Sequence, residues 1–157
     1  MYTIYVNGKT LYSPILVQDG LLVLNPKLTL EVGKAGSLTF LLPPTNPLYD
    51  GIMKLKSIIT VYQDDEEIFR GRVLHDEKDF YNRKDVYCEG ELAFLLDSIQ
   101  RPYSFTGNIP DLFRRFIDSH NEQVDEDKRF IVGEVTVTDP NDRIDRSSQE
   151  YPKTLDA

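Results

Sequence analysis

The sequence predicts a mainly β protein with short helices, an α+β chain whose strands form an antiparallel β-barrel or sandwich. Three observations predict it. Short runs of β-branched and aromatic residues alternate in period two between clusters of turn residues. Three such runs follow one another within residues 57–103, the spacing of a β-meander. Only two stretches, 92–99 and 112–117, carry apolar residues at helical spacing.

Residues 2–6 and 9–12 read as two strands joined by Asn7-Gly8, a favoured hairpin turn. Asp19-Gly20 is a second turn, and a strand over 21–24 ends at Asn25-Pro26. Leu28, Leu30 and Val32 alternate with Thr29 and Glu31, which gives a one-sided strand. Gly33-Lys34-Ala35-Gly36 is a hairpin connection. A phosphate cradle needs a following helix and a Lys-Ser/Thr ending, whereas 37–42 reads as a strand. Asn46-Pro47 opens a short helix with Asn46 as its N-cap.

The meander comes next. Ile58 to Tyr62 is the first run, and the carboxylates Asp64, Asp65, Glu66 and Glu67 follow as a hydrated turn. In the second run Phe69, Gly71 and Val73 share one face, with Arg70 and Arg72 on the other; Gly71 marks a bulge or a close backbone approach. In the third, Val86 and Cys88 face inward and Gly90 permits the change into a helix. That helix carries Leu92, Leu95, Leu96 and Ile99 as an apolar stripe, a plug that the sheet covers, and Arg101-Pro102 ends it. The structural candidates are therefore Gly71, Gly90, Leu92, Leu95, Leu96 and Ile99.

Composition shifts at this point. The expected division is a barrel-like domain over 1–102 and the beginning of a second α+β domain over 103–157. Residues 103–108 read as a linker. Asn108 caps an amphipathic helix with Leu112, Phe113, Phe116 and Ile117 as its stripe. Residues 130–138 read as a strand, Asp139-Pro140-Asn141-Asp142 as a turn, and Ile144 as part of a further strand. Residues 151–157 look like the first turn of a helix that does not continue, the expectation for a chain cut from a longer protein.

A hydrophobic fraction of 40% supplies a core, and a net charge of −8 disfavours wrapping of nucleic acid by a basic surface. No apolar run is long enough for a membrane span, and the N-terminus reads as a strand rather than a signal peptide. The single Cys88 excludes an intrachain disulfide and reads as a small buried hydrophobe. His75, among Asp76, Glu77 and Asp79, reads as a charged strand end, and His120 as a cation suited to a helix C-terminus. The carboxylates fall in turns, the opposite of the apolar pocket that acid–base work requires. Catalytic, cofactor-binding and metal-ligating residues are all expected to be none.

The run Ile68-Phe69-Arg70-Gly71-Arg72-Val73, with residues 87–98 behind it, resembles the phage minor structural protein family, the tail-associated proteins of Gram-positive siphophages and prophages. Residues 36–40, Pro43-Pro44-Thr45-Asn46-Pro47, Arg101-Pro102-Tyr103 and Val135-Thr136-Val137 extend the likeness over almost the whole chain. The resemblance implies an N-terminal baseplate-hub region at the virion tail tip, made in the bacterial cytoplasm. Its first domain would be a barrel of tail-tube type, three copies of which form a ring closing the tube. The implied partners are further copies of itself, the distal tail protein and the tape-measure protein. Longer members carry C-terminal peptidase, lysozyme or receptor-binding regions, so no enzymatic residue is carried over. A ring would also cover exposed strand edges, and an acidic inner wall would let DNA slide past. The competing readings are the start of a cell-wall hydrolase, a carbohydrate-binding β-module and a distal tail protein.

Overall fold

The chain opens with a hairpin because Asn7 and Gly8 both adopt positive φ, 47° and 76°, the conformation a two-residue turn demands. It joins β1 (Tyr2–Val6) to β2 (Lys9–Tyr12). This is a computed structural model that describes residues 1–137 and 139–157. It divides into two compact units, Met1–Glu91 and Leu92–Ala157.

The first unit is one seven-stranded antiparallel sheet, curled into a half-barrel. Its other strands are β3 (Leu24–Thr29), β4 (Ser37–Leu42), β5 (Ile58–Gln63), β6 (Glu66–Lys78) and β7 (Lys84–Gly90). Their order is β2-β1-β5-β6-β7-β4-β3, so β2 and β3 are the two edges and the sheet stays open. The core follows the alternation. Ile4, Val6, Leu38, Phe40, Ile59, Val61, Val73, Val86 and Cys88 all point inward and are buried.

Gly71 and Gly90 face each other across β6 and β7. A methyl group on Gly71 would meet the Glu89 carbonyl oxygen, and one on Gly90 the Ala35 carbonyl oxygen, both inside van der Waals contact. The missing side chains let the loop before β4 lie against β7, where Gly90 N donates to Gly36 O at 3.1 Å. On the opposite face Arg72 is buried and pairs with Glu89, Nε to Oε1 at 2.6 Å.

Several expectations are corrected. The strand expected over 21–24 does not form: residues 21–23 have no regular structure, and β3 begins at Leu24 and runs through Asn25-Pro26, because an edge strand tolerates a missing N–H and a bulge absorbs the kink. It ends at Thr29, which leaves Leu30 and Val32 exposed. Asn46 does not cap a helix. It is buried and clamps three backbones, donating to the Leu11 and Leu22 carbonyls and accepting from Leu48 N. β6 reaches back to Glu66, so the acidic turn shrinks to Asp64-Asp65.

The second unit contains β8 (Tyr103–Gly107), α1 (Ile109–Asn121) and β9 (Ile144–Ser148). Residues 103–107, expected as a linker, form a two-stranded ribbon with β9. Asn108 caps α1 as predicted, accepting from Asp111 N at 2.8 Å. The expected strand over 130–138 is not seen: residues 130–137 have no regular structure, and Thr138 lies outside the described residues. The segment expected as the plug is a 3-10 helix over Glu91–Asp97, and all of it but Glu91 falls in the second compact unit. Three residues per turn replace 3.6, so an apolar stripe spaced for an α-helix cannot stay on one face. Ala93, Phe94 and Leu95 are buried and Leu92 is half-buried, whereas Leu96 and Ile99 are 37% and 38% exposed.

Candidate interaction surface

The half-barrel leaves its concave face open at one end. Side chains from β1, β2 and β5 on one side and from β3 and β4 on the other line a groove of about 500 Å³. Ile4, Tyr12, Leu28, Leu30, Leu38, Val61 and Ile68 make it apolar, with Tyr2 and Gln63 at its polar border. Tyr12, Leu28 and Ile68 also pack against the buried core, so the groove continues the protein interior out to the surface.

Between Gln63 and Ile68 of its lining comes the β5–β6 turn, with Asp64, Asp65, Glu66 and Glu67 all exposed; Asp64 and Asp65 line a separate depression with Tyr5, Gly8, Thr60 and Tyr62. Asp64 pairs with the Met1 ammonium. Glu67 accepts from the Tyr62 hydroxyl at 2.9 Å. That bond, with the adjacent carboxylate charge, raises the Tyr62 phenol above its ordinary range.

The edges beside the groove resist strand addition. β2 has only four residues and begins with Lys9; β3 contains Asn25 at φ 50° and Pro26, then Lys27. Short length, proline, a bulge and lysine are the devices that blunt an edge.

At the far end of β6 the turn to β7 carries two aromatic residues. Phe80 is 95% exposed and Tyr81 70% exposed. Their rings meet edge to face at 5.5 Å, and the Arg83 guanidinium lies 5.1 Å from the Tyr81 ring centre. The Asp79 carboxylate accepts from Tyr81 N, Arg83 N and Arg83 Nε at 2.7–2.9 Å. The Arg83 side chain, donating to that carboxylate, holds the Asp79 pKa below its usual value. Tyr49 fastens the turn from outside by donating to Asn82 O at 2.6 Å. The knob is therefore rigid and solvent-facing. Its signal in the sequence is two aromatic residues inside a polar turn.

The groups with chemical potential lie elsewhere. Burial in the first sheet pushes the Cys88 thiol up to about 12, so it stays protonated. His75 is exposed, with Nε2 3.4 Å from Glu77. Among the described residues no group of three His, Cys, Asp or Glu is placed to hold a metal ion.

His120 is not a solvated helix end. It is fully buried, with Nε2 3.0 Å from the Lys128 carbonyl and Nδ1 2.6 Å from Ser98 Oγ. A carbonyl only accepts, so Nε2 carries a proton, and in the neutral ring Nδ1 accepts from Ser98. Ser98 Oγ then accepts from Thr154 Oγ1 at 2.6 Å, and Thr154 accepts from Gln100 Nε2 at 2.8 Å. Each donor meets one acceptor along the chain. Ser98 at 1% and His120 at 0% exposure offer a substrate no approach, so the Ser–His contact works as a structural bond. Nothing in the local sequence pointed to it, because its members are spread from Ser98 to Thr154.

No protein-family model matches the chain, and no curated protein matches it either.

Proposed function

We propose that the chain is a structural segment of a phage or prophage tail tip, the N-terminal part of a baseplate hub that oligomerises and attaches to the distal tail protein. The observation that carries the reading is the open half-barrel with an apolar groove at its mouth. Residues 68–73 and 87–90, which carry much of the resemblance to minor structural proteins, build its centre through the Gly71–Gly90 contact. Among the described residues, reactive groups such as Cys88 and His120 are buried and His75 is exposed, an arrangement that suits a structural role. Because both edges are blunted, neighbours in a ring would meet through side-chain surfaces rather than through a continuous sheet.

The test is placement in the particle. Antibody raised against the purified chain is applied to virions induced from a host that encodes it, and labelling is followed by electron microscopy. Label confined to the distal end of the tail is expected. Label on the capsid, along the tail shaft or nowhere on intact particles would overturn the reading.

A further inference from the structure

We propose that residues 131–137 form a strap that closes onto the open edge of β9, adding a third strand to the β8–β9 ribbon. The turn that joins the two is already built. Asp139 accepts from Asn141 N through Oδ1 at 2.8 Å and from Asp142 N through its carbonyl at 2.9 Å, and Asp142 adopts φ 49°. The β6–β7 turn has the same construction. Asp79 accepts from Tyr81 N through Oδ1 at 2.9 Å and from Asn82 N through its carbonyl at 3.0 Å, and Asn82 adopts φ 59°. An arginine follows in each, Arg83 or Arg143. A tight turn whose last loop residue is left-handed is a hairpin connection. Both arms of the first turn are paired, Glu77 opposite Asp85 and Asp76 opposite Val86. The second turn carries β9 on one arm, and residues 131–137 on the other stand outside any ladder.

Both sides of the missing ladder are ready for it. β9 pairs only with β8, which leaves its other edge open. Ile131, Val132, Val135, Thr136 and Val137 are β-branched, the residues that suit a pleated strand. Among the described residues the backbone groups of 131–137 have no hydrogen-bond partner. Copying the β6–β7 register sets Val137 opposite Asp145, Thr136 opposite Arg146 and Val135 opposite Ser147. Glu134 then lies diagonal to Arg146 on one face, within reach for opposite charges. The start of the strap is anchored too. The Asn121 side chain donates to Phe130 O at 2.8 Å and accepts from Phe130 N at 2.9 Å, a two-bond link that imitates a ladder step. Closure therefore orders a short segment held at both ends, and the loop-closure cost is small. Open, the strap leaves β9 free to accept an outside strand; closed, it occupies that edge.

The inference stands apart from the tail-tip reading, and tail labelling does not bear on it. Amide hydrogen exchange on the whole purified chain is the first test. Amides within 131–137 should be protected in alternation, because every second N–H of the strap faces β9. A cysteine pair tests the register. Val135→Cys with Ser147→Cys puts two thiols opposite each other on one face, at a separation a disulfide spans. Val135→Cys with Arg146→Cys is the control, tethered almost equally but on opposite faces. The first pair should oxidise at least ~10-fold faster than the control, since thiols pointing apart cannot bridge. Cys88 is buried and stays out of the reaction. Amides of 131–137 that all exchange at the rate of an unfolded chain, or two pairs that oxidise alike, would each overturn the proposal. The exchange measurement needs no substitution, so a variant that fails to fold leaves the test intact.

Discussion

The two compact units are held by different kinds of contact. In the first, the buried side chains are mainly apolar and the alternation of three neighbouring strands, β5 to β7, supplies much of the core. In the second, Ala93, Phe94, Leu95 and Ile117 are the buried apolar residues, and beside them Ser98, Gln100, His120 and Thr154 are buried and polar. An apolar core is non-directional and tolerates small shifts. A chain of hydrogen bonds is directional, and each link left open has a desolvation cost. The first unit should therefore fail through steric intrusion, and the second through loss of a single polar atom.

The largest effect is expected from Gly90→Ala. The added methyl meets the Ala35 carbonyl, a backbone atom that cannot rotate away, and the cost should be about 3 kcal/mol. Gly133→Ala in the second unit is the control, since nothing lies within 4 Å of a methyl there. Chemical denaturation of both variants checks the contrast. Equal stabilities would mean that the close approach of the 35–36 loop to β7 does not constrain the sheet.

The next effect belongs to the second unit. Ser98→Ala removes the link between His120 Nδ1 and Thr154 Oγ1. Two buried polar groups lose a partner, a loss of about 1–3 kcal/mol. Thr154→Ala should cost a similar amount, because Gln100 Nε2 then keeps only the Phe116 carbonyl. The double variant should cost less than the sum, since both substitutions break one network. Amide exchange in α1, which carries His120, is the readout. Additive losses would show that the chain of bonds acts as separate pairs.

The same contrast decides what the sequence could reveal. Period-two alternation with Asn7-Gly8 and the 58–90 meander located β1, β2 and β5 to β7, and Asn108 located the start of α1. β3 was misread because Asn25-Pro26 signals a stop, whereas an edge strand needs no inward donor at that position. The 130–138 strand was misread because Val132, Val135 and Val137 look apolar, yet a strand exists only with a ladder partner, and residues 130–137 pair with none. The helix expected after Gly90 forms as a 3-10 helix over Glu91–Asp97, whose tighter pitch leaves Leu96 exposed, and Ile99 lies beyond its end in a bridge to Lys153. Phe113 was expected on the α1 stripe and is 45% exposed, while His120 takes a buried position on that helix. Long-range polar links such as Ser98 to Thr154, 56 residues apart, leave no local pattern. The Asn46 clamp is hidden for the same reason.

The smallest effect, on Cys88, probes how tightly the first sheet is closed. Burial raises its thiol from 9.0 to about 12, so at neutral pH the native thiol carries almost no thiolate, the reactive form. A thiol reagent should label it far more slowly in the native protein than in denaturant. The pH dependence has a definite sign. A pKa raised by folding means that the native state holds its proton more firmly than the unfolded chain. This contribution to stability is complete below pH 9.0 and is lost as pH rises towards about 12. Cys88→Ala should remove that part of the alkaline loss, and a pH series of denaturation midpoints measures it. If labelling at neutral pH instead ran as fast in the native as in the unfolded protein, β4 and β7, which meet at Leu38 and Cys88, would be opening freely. The apolar unit would then be the looser of the two.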